Sequence, residues 1–133
     1  MTLATWAAVH WLMFAGGGGS WTASGPFPPQ YQKDFRYAGP ELRPTGVGRG
    51  QKITPYVAWS WKLPVVVPGQ VVLLCVDQGR NCQDVSGNPK GTTTAFAGQS
   101  ANQVFQFFLL VKGSGMLQPP VVGGEGQVIV NYQ

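Results

Sequence analysis

Glycine and proline constrain this chain more than any other feature: 19 and 11 of its 133 residues, respectively. An interior Gly costs a helix about 1 kcal/mol and an interior Pro about 3 relative to Ala, so a helical bundle or coiled coil is disfavoured. The chain is also 44% hydrophobic and only 11% charged, where an ordinary soluble domain carries roughly 25%. A disordered polyelectrolyte is excluded, because such segments have too little apolar surface to offset the entropy of ordering. What remains is a single β-rich domain with many turns. So few charges on a small body imply a surface covered in part by neighbouring subunits.

The punctuation divides the chain. Residues 3–15 form an apolar run without a charge, too short for a membrane span of about 20 residues. No basic leader precedes it, so it is not read as a secretory signal. It ends at Gly16, Gly17, Gly18, Gly19 and Ser20, a flexible tether by composition. We expect residues 1–20 to be an arm and hinge, and residues 21–133 the body. As a strand, the arm would put Trp6, Ala8, His10, Leu12 and Phe14 on one face; a short amphipathic helix is the alternative that periodicity does not exclude.

Within the body, residues 20–55 read as irregular, broken by Gly-Pro and Pro-Pro pairs, with one short strand over 31–37. Strand signals strengthen from Ile53: residues 56–63, 65–67 and 71–76 are β-favouring, with Pro68-Gly69 as a turn. Residues 92–96 form a further candidate, 103–112 the most apolar strand, and 127–133 a last one. Short strands at intervals near ten residues predict an all-β antiparallel sandwich or partly closed barrel.

Little in the chain carries catalysis or metal binding. The single histidine, His10, lies in the arm, and the five acids are scattered, so no nucleophile-base set or acid-base pair is legible. No His, Cys and carboxylate cluster has metal-ligand spacing, and no enzyme activity or cofactor is expected. The net charge of +4 is spread too thinly for a nucleic-acid footprint. Cys75 and Cys82 flank a turn-forming run and fit neither a zinc set nor a redox CxxC. A disulfide clipping a hairpin is the expected reading, with unrelated buried thiols the alternative, and a bridge would imply an oxidising compartment.

The last thirty residues carry a resemblance. A strong apolar strand from Val104 to Val111, a glycine turn, and a final strand alternating Val128, Val130 and the penultimate Tyr132 resemble the closing segment of chaperone–usher pilus subunits. The resemblance implies an immunoglobulin-like sandwich that is incomplete and completed by a donated strand. Trp6, Ala8, His10, Leu12 and Phe14 would be the arm donated to the next subunit, and Val128, Val130 and Tyr132 the ladder on which a partner zips by strand addition. A head-to-tail contact that does not close makes a filament. The implied partners are identical or related subunits, a periplasmic chaperone and an usher; the implied location is a cell-surface filament, reached through the periplasm.

Two other readings share the composition. One is a virion coat protein with a β-sandwich fold. The other is a secreted carbohydrate-binding module, in which Trp59 and Trp61, two residues apart on one strand face, would form a sugar-stacking platform. Burial of both indoles is the plainer alternative.

Overall fold

Period-two patterning builds two facing sheets. In the computed structural model, which describes residues 18–133, the strands are β1 (Gly19–Pro26), β2 (Gln30–Gln32), β3 (Tyr37–Ala38), β4 (Ile53–Lys62), β5 (Gln70–Val76), β6 (Asn81–Asp84), β7 (Lys90–Thr93), β8 (Gln106–Val111), β9 (Met116–Val121) and β10 (Glu125–Tyr132). One sheet has the order β1-β10-β4-β7, a second β3-β8-β5-β6, and β2 pairs with β9 as a separate ribbon. Every pairing is antiparallel. The fold is an all-β antiparallel sandwich.

Alternation decides which residues fill it. On β8, Phe107, Leu109 and Val111 are buried while Gln106, Phe108 and Leu110 are only half-buried. With Val72 and Leu74 of β5 they share one core with Trp21, Val57, Trp61, Val128 and Val130 from the first sheet. Fully burying such a side chain contributes about 1.5–3 kcal/mol. Aromatic rings join the layers edge to face: Phe27 lies 5.4 Å from Phe107, and Phe105 lies 5.9 Å from Trp21 and 5.4 Å from Phe96. The two core indoles keep their polar edges satisfied, since Trp21 Nε1–H donates to the Ala101 carbonyl and Trp61 Nε1–H to that of Val85, both at 2.9 Å.

Several sequence expectations need correction. Residues 20–55 are not irregular throughout: their first seven positions belong to β1, which pairs with β10 from Gly19↔Tyr132 to Pro26↔Glu125. The strand expected over 31–37 is broken in two. Asp34 takes a positive φ of 58°, its N–H donates to the Val111 carbonyl, and the Tyr37 hydroxyl accepts from the N–H groups of Tyr31 and Gln32. The candidate over 92–96 falls earlier, at β7, and Phe96 is a buried turn residue instead. Residues 65–67 are not a strand at all.

The last strand corrects the largest expectation. β10 lies inside its sheet, with β1 along one edge and β4 along the other. Its hydrogen-bonding edges are taken by the chain itself, and Val128 and Val130 are fully buried in their own core. A donated strand has no place beside it. The arm residues Trp6, Ala8, His10, Leu12 and Phe14 lie outside the described residues.

Candidate functional site

Proline chemistry shapes an apolar concavity that carries exposed large side chains. After β4 the chain reads Leu63-Pro64-Val65-Val66-Val67-Pro68. The three valines favour a strand, but each flanking proline lacks the N–H that a ladder needs and fixes φ. The segment therefore leaves the sheet and stands as a wall, with Val65 58% exposed on it. The facing wall is β9, whose Pro119 and Pro120 likewise limit pairing. Met116 and Val122 are 58% and 60% exposed at its two ends, while Leu117 and Val121 turn inward to the core. Between the walls lies a groove of about 510 Å³ with Lys33 as its only charged lining residue.

Two contacts fix the ribbon that carries β9. The fully buried Gln30 of β2 exchanges side-chain amide hydrogen bonds with Gln70 of β5 at 3.1 and 3.2 Å. Gln70 also donates to the Leu110 carbonyl. Beside it, the Lys33 N–H donates to the Gly115 carbonyl at 2.8 Å. The groove is thus preformed by a part-buried amide pair and four prolines.

The tryptophan pair lies elsewhere. Trp61 is a core residue, only 7% exposed. Trp59 is half-buried; its ring lies so close over Gly91 of β7 that a β-carbon there would sit 2.6 Å from it, and its Nε1–H donates to the Asn88 carbonyl. The two indoles do not form an open, side-by-side surface. Cys75 and Cys82 are joined by a disulfide between directly opposed positions of β5 and β6.

Charged groups form no constellation. The ion pairs among the described residues are Arg43–Glu41 and Arg80–Asp77, both exposed, and no group of three metal-ligating side chains occurs among those residues. The pKa of Asp84 is held below the ordinary aspartate value because the Ser86 hydroxyl and N–H both donate to its carboxylate, at 2.6 and 2.9 Å. That arrangement closes the turn after β6 and needs no ligand to explain it.

Residues 30–133 match the family model described as flagellar protein FlhE. The chain belongs to the FlhE family. The flagellar protein FlhE of Escherichia coli strain K12 is 36% identical over 77 residues, 58% of this chain and 58% of that relative's own length. A crystal structure of FlhE superposes with a TM-score of 0.76 at 29% identity, covering 87% of this chain and 97% of that one.

FlhE membership overturns the pilus reading and what followed from it. The chain is not a chaperone–usher subunit; the chaperone, the usher, a head-to-tail polymer of subunits and a cell-surface pilus are withdrawn. The coat-protein and carbohydrate-module alternatives are likewise unsupported, because family, relative and solved structure all point to a flagellar protein. The resemblance rests on the apolar strand from Val104 to Val111, the glycine turn, the alternating last strand and the apolar arm, and such alternation is what a central sandwich strand requires equally.

The groove residues were missed from sequence because residues 65–67 read as one more strand and Pro119-Pro120 as a mere interruption. The signal was present in the spacing. Prolines at both ends of a three-valine run force the segment out of the sheet, leaving Val65 and Val66 exposed while Val67 packs against the core.

Proposed function

We propose that this chain is a non-catalytic accessory protein of the flagellar system that holds an extended, apolar segment of another flagellar protein in the groove between residues 63–68 and β9. The observation that carries the reading is the exposure of Val65, Met116 and Val122 on walls stiffened by Pro64, Pro68, Pro119 and Pro120. Exposed apolar side chains gathered around one concavity mark interaction sites on proteins that are otherwise polar outside. A preformed groove also avoids the ordering penalty that weakens binding by flexible surfaces. Lys33 is the sole lining charge, which favours a partner segment with a carboxylate at that end. The disulfide fits work in an oxidising compartment.

The test is motility of a flagellated host that lacks its own copy, complemented with the unaltered chain, Val65→Asp, Val122→Asp or Lys33→Glu. Exposed substitutions of this kind leave stability within about 0.5 kcal/mol, which thermal unfolding checks. Loss of swimming with Val65→Asp and Val122→Asp, in normally folded protein, is the expected result. Full motility with both aspartates would remove the groove from the function.

A further inference from the structure

Cys75 and Cys82 differ in access: Cys75 is fully buried, whereas Cys82 is half-buried. Arg36, from the segment between β2 and β3, reaches across the bond that joins them. Its Nη2 lies 2.9 Å from Cys82 Sγ and 3.5 Å from Cys75 Sγ, and donates to the Gly79 carbonyl at 2.9 Å. The guanidinium carbon stands 4.5 Å from the centroid of the Phe108 ring, a cation-π contact that holds the group in place. Three positions at the tip of the enclosed hairpin, Asp77, Gln78 and Gly79, take positive φ values of 55°, 56° and 83°. Gln78 is neither glycine nor one of the short polar residues that take this region readily, so the turn holds it in a conformation its side chain disfavours.

A neutral disulfide draws little from a neighbouring cation, but a thiolate draws a great deal. Positive charge beside a cysteine sulfur lowers its thiol pKa, and a thiol of lower pKa is the better leaving group in exchange. The geometry points to a thiol-exchange site at Cys75–Cys82, reduced by an external dithiol of the CXXC-oxidoreductase class and re-formed by the disulfide form of such a protein, with Arg36 stabilising the thiolates. The dithiol's thiolate bonds to the accessible Cys82 Sγ, the Sγ–Sγ bond breaks, and its electron pair leaves on Cys75 Sγ beside Arg36. The second thiol of the dithiol then gives its proton to solvent and attacks its partner sulfur in the mixed disulfide, releasing Cys82 as a thiolate. Two electrons pass to this chain, the dithiol becomes a disulfide, and the hairpin tip over residues 77–80 is freed.

The experiment uses the full chain and dithiothreitol as the dithiol. Reduction is followed by alkylation and mass in the unaltered protein, Arg36→Gln and Arg36→Lys. Arg36 is exposed, so its replacement leaves the core untouched. The expected result is that Arg36→Gln is reduced roughly tenfold more slowly, with its equilibrium shifted roughly tenfold toward the disulfide, equivalent to about 30 mV. Arg36→Lys keeps most of the unaltered behaviour. If Arg36 served only as a clamp on the hairpin, its loss would expose the bond; reduction of Arg36→Gln at an equal or faster rate would therefore overturn the proposal. So would a lysine variant that behaves as the glutamine one does.

Discussion

Gly126 offers a sharp test of the packing that joins the two layers. It lies on β10 opposite Gly25 and Trp61, and a β-carbon there would sit 2.6 Å from two atoms of the Phe107 ring and 2.7 Å from Phe27. Ordinary carbon contacts are about 3.5–4.0 Å, so Gly126→Ala requires a retreat of about 1 Å by rings that are 2% and 5% exposed. Each ring is also packed edge-on against the other, which leaves neither a free direction. Overpacking of this kind costs about 1–3 kcal/mol. Against it stands the 0.4–1 kcal/mol or so that Gly→Ala gains from a less flexible unfolded chain. The net expectation is a loss of about 1–2 kcal/mol. Gly87→Ala is the control, because nothing lies within 4 Å of its β-carbon position; it should gain about 0.4–1 kcal/mol by the same unfolded-state effect. Gly91→Ala should fall between them, since the Trp59 ring it meets is half-buried and has room to yield. Urea unfolding separates the three, because an m-value of about 1–3 kcal/mol/M turns such differences into shifts of several tenths of a molar or more. Gly126→Ala with unaltered stability, or with a midpoint above that of Gly87→Ala, would refute the reasoning.

Three further outcomes are expected. Trp61→Phe keeps an aromatic ring in the core but leaves the Val85 carbonyl without its 2.9 Å donor; it should destabilise by about 1–3 kcal/mol in the same urea assay. Cys75→Ala paired with Cys82→Ala removes a bridge between residues seven apart, and the chain-entropy model places the loss at roughly 2–3 kcal/mol, measured against the oxidised protein. Asp84, whose pKa is lowered by the hydroxyl and N–H of Ser86, contributes stability that is fully present above the unfolded value near pH 4 or so. That contribution is lost as pH falls through the lower folded value, so Asp84→Asn should flatten this part of the acid-unfolding curve. A carboxyl NMR titration placing Asp84 at or above the ordinary aspartate value would contradict it.

The legible part of the fold was the part governed by local patterning. Alternation on 103–112 and 127–133 marks β8 and β10 because one face of each must be buried, and that requirement is local. Partner choice is not. Nothing in Val128, Val130 and Tyr132 says whether the strand lies at an open edge or between two others, since both arrangements need the same alternating apolar face. β1 was hidden for a related reason. Ser20, Thr22 and Ser24 are exposed and uncharged, and only Trp21 and Ala23 carry an inward signal. That is too little to outweigh the neighbouring Gly and Pro until β10 supplies an eight-position ladder.

Tyr132 shows how a local cue acquires its meaning from the tertiary fold. A penultimate aromatic on an alternating strand resembled a recognition element for a partner. In the folded chain it pairs with Gly19, and a β-carbon on Gly19 would meet the Tyr132 hydroxyl at 2.8 Å and its ring at 2.9 Å. The small residue and the large one fit each other across β1 and β10, closing the end of the sheet where Gln133 and Lys52 exchange backbone hydrogen bonds at 2.8 and 3.0 Å. The aromatic is therefore accounted for by packing within the molecule. Val65, Met116 and Val122 are not: prolines keep their walls out of the two main sheets, and no layer of the sandwich covers them. That contrast, between an apolar side chain with an internal partner and one without, is what moves the candidate interface from the end of the chain to the groove.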